Sequence, residues 1–253
     1  MISKVHVLFG LENSVELEKK NAVFIIVDVI RAGTMMICSL AAGAKGVYAV
    51  PDLKTAWLLK DRIENCILAG ERDYKKVTGF DHGNSPTELL ENSVSQKYVV
   101  LTTSNGTRII HNVGKAKHIL IGGFLNATAV SAIAYNLSKR KSLDIVLIAC
   151  GPIEECEDWL AAGFIASKLC DLGCELDEDA QLATESYQRS KNALYDIIKN
   201  SAEGAKLKRL GYEGDIDLCL QIDQYPFVPT VCIKEPNAYL FQDVKDAYPN
   251  ESS

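Results

Sequence analysis

Carboxylates that directly follow apolar runs are the residues of this chain best placed to do chemistry. Asp28 ends the run over residues 23–27, and Arg31 stands one short loop further on. A carboxylate at that place loses hydration unless a cation or a hydrogen-bond donor meets it, so the segment reads as a structural ion pair or as part of a site. Two more carboxylates, Glu71 and Asp81, lie in Gly70-Glu71-Arg72 and in Gly79-Phe80-Asp81-His82-Gly83-Asn84-Ser85-Pro86. Magnesium takes oxygen ligands, usually one or two carboxylates with water and a phosphate oxygen, and Asp28, Glu71 and Asp81 together suit it. Gly79 and Gly83 allow close backbone approach, while Asn84 and Ser85 offer donors or cap a helix that Pro86 begins. The plain alternative for that stretch is an N-capped loop with turn glycines.

Thr102-Thr103-Ser104-Asn105-Gly106-Thr107-Arg108 adds hydroxyls, an amide and a guanidinium where a strand runs into a helix. Backbone N–H groups, hydroxyls and a planar arginine fork match phosphate or sulfonate oxygens in number and direction. Capping explains most of these residues too, but Arg108 in a first helical turn opposes the macrodipole and makes a bound anion more attractive. Asp158, following Cys150-Gly151-Pro152, could add a carboxylate to the same rim, but acidic residues in a first helical turn are favoured by the dipole alone, which is here the better reading.

Elements that could hold these residues are readable from periodicity. Apolar runs at 23–27, 66–69, 98–101, 118–121 and 145–149 suit buried strands, and residues 1–9 alternate as a first strand. Amphipathic stretches at 52–65, 126–139 and 157–172 suit helices. The class is α/β, a largely parallel or mixed sheet with helices on both faces, and its strand ends are where ligands should bind. Gly33-Thr34 and Gly106-Thr107 form a weak internal echo, each following a strand and opening a helix-like stretch. After about residue 175 the chain turns more polar, with a long helix predicted over 178–199, a shorter one over 205–210 and a strand over 226–233. The 253 residues are expected to form one α/β domain, or two intimately packed lobes meeting near 175, the later part being a C-terminal helical covering lobe.

Composition sets outer limits. With 47% hydrophobic and 24% charged residues the chain is an ordinary globular one, and a net charge of −6 argues against a broad nucleic-acid or anionic-membrane surface. The start lacks the basic and apolar regions of a signal peptide, and no apolar stretch is long enough to span a bilayer. The eight cysteines contain no C-x-x-C pair and sit mostly in apolar runs, so they read as reduced small hydrophobes and the cytoplasm as the compartment. A homodimer is plausible.

Taken in order, D-V-I-R-A-G-T from Asp28, G-E-R from Gly70, G-F-D-H-G-N-S-P from Gly79 and T-T-S-N-G-T-R from Thr102 resemble the 2-phosphosulfolactate phosphatase family. Residues 211–229, with Asp215, Asp223 and Pro229, also look like its closing segment. Gly33, Ser104 and His82 depart from the family's usual residues. The resemblance implies a magnesium-dependent hydrolase that removes phosphate from 2-phospho-3-sulfolactate, a step of coenzyme M biosynthesis. On this reading Asp28, Glu71 and Asp81 hold the metal, with Asp28, Arg31, Glu71 and Asp81 catalytic. Thr34, Asn84, Ser85, Asn105, Gly106, Thr107, Arg108 and Asp158 then bind a small anionic phosphate ester.

The rivals are weaker. Cys66 and Arg72 have the C-x5-R spacing of covalent cysteine phosphatases, but an intervening strand would hold them ~13 Å apart. Asp215-Ile216-Asp217 mimics an aspartyl-nucleophile motif without the apolar strand it needs, so a helix cap is the better reading. No nucleotide-binding glycine motif occurs. Two alternatives stay open: a phosphatase for a different small phospho-acid, and a non-enzymatic anion sensor, which three carboxylates would disfavour unless a cation were present.

Overall fold

The computed structural model describes residues 2–10, 21–92, 94–104, 106–113, 116–151 and 157–247. The first half builds β1 (Lys4–Phe9), β2 (Ala22–Val27), α1 (Ala32–Ala41), β3 (Gly46–Ala49), α2 (Leu53–Arg62), β4 (Cys66–Arg72) and β5 (Lys75–Lys76). It continues through α3 (Pro86–Glu91), β6 (Tyr98–Thr102), α4 (Gly106–Asn112), β7 (His118–Gly122), α5 (Ala127–Lys141) and β8 (Asp144–Ala149). Then follow α6 (Glu157–Asp171), β9 (Glu175–Leu176), α7 (Glu178–Ser190), α8 (Leu194–Lys199), α9 (Ala202–Arg209) and α10 (Glu213–Cys219). A hairpin of β10 (Pro229–Glu235) and β11 (Ala238–Asp243) and a short α11 (Val244–Ala247) close the described chain.

One mixed sheet organises it, in the order β5-β4-β6-β3-β11-β10-β7-β2-β8-β1-β9. β2 lies between β7 and β8, parallel to both, and every residue of it is buried. Its alternation divides the core: Val23, Ile25 and Val27 join α5 and α6 on one face, while Phe24 and Ile26 join α1 and α4 on the other. Such burial on both faces is why β2 reads as an unbroken apolar run. The α/β class therefore stands, and all five predicted inner strands are present.

The β10–β11 hairpin enters antiparallel between β7 and β3 and makes the sheet mixed. Pro236 and Asn237, the latter at φ 63°, form its turn, a sequence signal of a proline followed by a residue that tolerates positive φ. The helix predicted over 178–199 is two helices, because Lys191–Ala193 form a turn before Leu194 restarts the helix. Leu194, Ile198, Leu207, Ile216 and Cys219 from α8, α9 and α10 pack into the same apolar cluster as β1 and α6, so the later part shares the core instead of building its own. Among the described residues no helix is long and apolar enough to cross a membrane.

Candidate active site

Asp28 is the centre from which the site can be built. It follows β2 directly and is buried, and its Oδ1 accepts from the Ala32 N–H at 2.9 Å at the start of α1. Two glycines make room for it. A Cβ on Gly33 would fall 2.4 Å from the Asp28 carbonyl oxygen, and one on Gly106 would fall 2.2 Å from Asp28 Oδ2. The Gly-Thr echo thus has a physical meaning: both units close on Asp28, Gly33 against its backbone carbonyl and Gly106 against its carboxylate. Each threonine turns back on the chain, Thr34 donating to the Val29 carbonyl and Thr107 to that of Thr103.

A cavity of about 170 Å³ opens beside Asp28, lined also by Ile30, Arg31, Ala32, Glu71, Asp73, Tyr74, Asn84, Thr103, Ser104, Gly106 and Glu203. Glu71, at the end of β4, accepts from the Tyr74 N–H through Oε2 and from the Ser104 N–H through Oε1, both at 2.9 Å, and ties two lining loops together. Asn84 is buried, and its Oδ1 has no hydrogen-bond partner, an oxygen left for something the cavity would hold. Arg31 is buried as well. Its Nη1 donates to Asp215 Oδ2 at 2.8 Å, and its guanidinium lies 4.6 Å from the centre of the Tyr212 ring. Ser85 and Thr87 donate to the other Asp215 oxygen at 2.7 and 2.6 Å, so α3 and α10 together set the arginine's direction.

The electrostatics are those of crowded acids. Burial pushes the Asp28 carboxyl up to about 6; N–H groups of Ala32 and Gly33 oppose this, and Glu203 and Glu71 add to it. Burial likewise raises Glu157 to about 7, with Glu203 and Asp28 contributing. Asp158 is raised well above the ordinary carboxylate range by burial and by Glu157 and Asp28. Acids in such surroundings either carry protons or await a cation.

Several expected residues fall elsewhere. Asp81 is exposed; its Oδ2 accepts from the Leu68 N–H at 2.8 Å and faces Lys60 at 3.6 Å. Residues 81–83 run along the edge of β4, exchanging backbone bonds with Leu68 and Gly70, which explains a segment so rich in polar groups. Among the described residues no three His, Cys, Asp or Glu side chains form a metal cluster, so the Asp28, Glu71 and Asp81 triad is not assembled. Asp158 turns from the cavity and accepts from the Val29 N–H at 2.7 Å, fixing the loop after β2. Thr34, Ser85 and Thr107 stand behind the lining, Ser85 as the cap of α3, and Arg108 is exposed on α4. Asn105 lies outside the described residues.

Sequence reasoning missed Glu203, Tyr74 and the anchoring role of Asp215. Glu203 occupies the first turn of α9, whose Ser201 cap accepts from the Gly204 N–H at 3.1 Å, and it receives the Tyr74 hydroxyl at 2.6 Å. Its pattern is that of any capped polar helix, and only the fold brings it to Asp28.

Comparison with known proteins points to one family. The 2-phosphosulpholactate phosphatase family matches residues 11–234. A protein of Caldicellulosiruptor saccharolyticus named probable 2-phosphosulfolactate phosphatase is 34% identical over 218 residues, 84% of this chain and 89% of its own. Equally named proteins are 36% identical over 211 residues in Thermotoga petrophila, covering 82% and 88%, and 34% over 235 in Carboxydothermus hydrogenoformans, covering 92% and 94%.

Proposed function

Because this chain belongs to the 2-phosphosulpholactate phosphatase family, a family of phosphoric monoester hydrolases, we propose that its cavity hydrolyses 2-phospho-3-sulfolactate with the help of magnesium. The observation that carries the proposal is the pairing of a fixed guanidinium, Arg31, with a group of buried oxygen donors around Asp28.

The donor set fits a hard divalent ion. Asp28, Glu71 and Glu203 are carboxylates of one cavity, and Asn84 Oδ1 is a buried oxygen without a partner. Magnesium commonly keeps several waters and needs one or two carboxylates, so the failure of a three-carboxylate cage is no obstacle. A phosphate ester entering a cavity with these acids also needs compensating positive charge beyond Arg31. When bound, magnesium would supply that charge and polarise a phosphate oxygen.

The chain's own residues do the positioning. Arg31 is held on one edge by Asp215 and on one face by Tyr212, leaving the rest of its planar fork for phosphate oxygens. Asp28 is kept in place by α1 and by the space at Gly106, and Glu71 holds the turn at Tyr74 against the Ser104 loop. Phosphoryl transfer needs mainly positioning and charge stabilisation, and these are the parts for it.

The test is phosphate release from 2-phosphosulfolactate, phospholactate and an aryl phosphate, each with magnesium and with excess chelator. Chelator-sensitive turnover favouring the sulfonated ester is expected. Tight anion binding without turnover of any ester would replace this reading with that of an anion sensor.

A further inference from the structure

Tyr74 is gripped twice by α9: its hydroxyl donates to Glu203 Oε2 at 2.6 Å, and the Lys206 ammonium lies 3.7 Å from the centre of its ring. Glu203 and Lys206 are neighbours on one helix face at i,i+3 spacing. The helix presenting them is well fixed. Leu207 is fully buried in the core, and Gly204 passes so close to α8 that a Cβ there would lie 2.1 Å from the Ile198 carbonyl oxygen. Tyr74 is fixed from below by its N–H bond to Glu71, and it is part of the cavity wall. Lys206 therefore stands against Tyr74 on a rigid frame, one residue outside the lining, while its own side chain is exposed and can leave the ring for a ligand.

The described lining needs such a charge. Asp28, Glu71, Asp73 and Glu203 are acidic, and among the described lining residues Arg31 alone is basic. A ligand with a phosphate at one carbon and a sulfonate at the next has two separated anionic ends, and Arg31 is held at one place by Asp215. Resting on the function proposed above, we propose that Lys206 is the specificity-determining residue that receives the sulfonate at the mouth of the cavity. A sulfonate has three equivalent oxygens and asks for no planar fork, which suits the point charge of a lysine on a flexible stem.

The experiment compares kcat/KM for 2-phosphosulfolactate and for phospholactate, which keeps the phosphate and carboxylate but lacks the sulfonate. In K206A the ratio of the two should fall about tenfold through KM, the size of one charge-assisted contact, and K206R should restore most of it. An unchanged ratio, or an equal loss on both esters, overturns the assignment. Calorimetric titration with sulfolactate reads the same contact without turnover. About tenfold weaker binding to K206A supports the sulfonate contact even if wild-type protein hydrolyses neither ester, and equal binding by both proteins refutes it.

Discussion

Arg31 and Asp215, separated by 184 positions in the chain, meet through a buried ion pair of 2.8 Å that joins the loop after β2 to α10. Both side chains are almost wholly removed from solvent, so neither can be left alone cheaply. Asp215→Ala is expected to lower stability by ~3–5 kcal/mol, the usual cost of an uncompensated buried charge. It should also lower kcat/KM at least about tenfold at temperatures where the variant is still folded, because Arg31 loses its direction. Denaturant unfolding and steady-state kinetics on the same preparation check both parts; full activity in a folded variant would contradict the positioning role.

Gly106 offers a sharper probe of Asp28. A methyl group at that position has no room, since it would sit 2.2 Å from Asp28 Oδ2 and 2.9 Å from the Ala32 Cβ. Gly106→Ala is expected to displace the carboxylate and to cost ~1–3 kcal/mol, the range for overpacking. Turnover should fall more steeply than stability. Gly123→Ala is the control, because no atom lies within 4 Å of a Cβ there.

Much of this was legible in the sequence, and what was not has a common cause. Val23 to Val27 announced a strand buried on both faces, and Asp28 directly after it announced a carboxylate in need of a partner. Arg31 and Glu71 were found in the same way, each close in sequence to a strand end, and Asn84 by its place in a glycine-bounded loop before the helix that Pro86 begins. Asp81 misled because its polar neighbours serve the edge of β4, where a carboxylate that accepts from Leu68 looks the same in sequence as one facing a ligand. Glu203 and Tyr74 lie 129 positions apart and meet only through packing of α9, which no local spacing encodes. β3 and β11 escaped because a four-residue buried strand and the second arm of a late hairpin carry little periodic signal.

The crowded acids predict an unusual pH dependence of stability in the absence of divalent cations. Asp28 and Glu157 hold their protons more tightly in the folded chain, at about 6 and about 7, than an unfolded carboxyl does near ~4. Their contribution is fully present below the unfolded value and is lost as pH rises through the folded ones, so this part of the stability should decline between roughly pH 4 and 7. Glu157→Gln removes one of the titrating groups. Its melting temperature should fall less between pH 5 and 8 than that of the unaltered protein; parallel curves would show that Glu157 does not titrate in this window.

Magnesium should act on the same acids from the other side. An ion that binds only the folded chain stabilises it by mass action, ~2.7 kcal/mol at a hundredfold excess over its dissociation constant, which for a chain of this size raises the melting temperature by roughly 5–10 °C. The rise should be larger at pH 8 than at pH 5, because protons and metal compete for Asp28. Asp28→Asn keeps an acceptor for the Ala32 N–H and so should keep the fold, but it gives up the charge at the centre of the cavity. The magnesium-dependent rise and turnover should disappear together in that variant. A Glu203→Gln protein, which retains Asp28 and the Tyr74 contact, should show an intermediate rise. An undiminished rise in Asp28→Asn would move the metal away from Asp28, and retained turnover would remove that residue from the chemistry altogether.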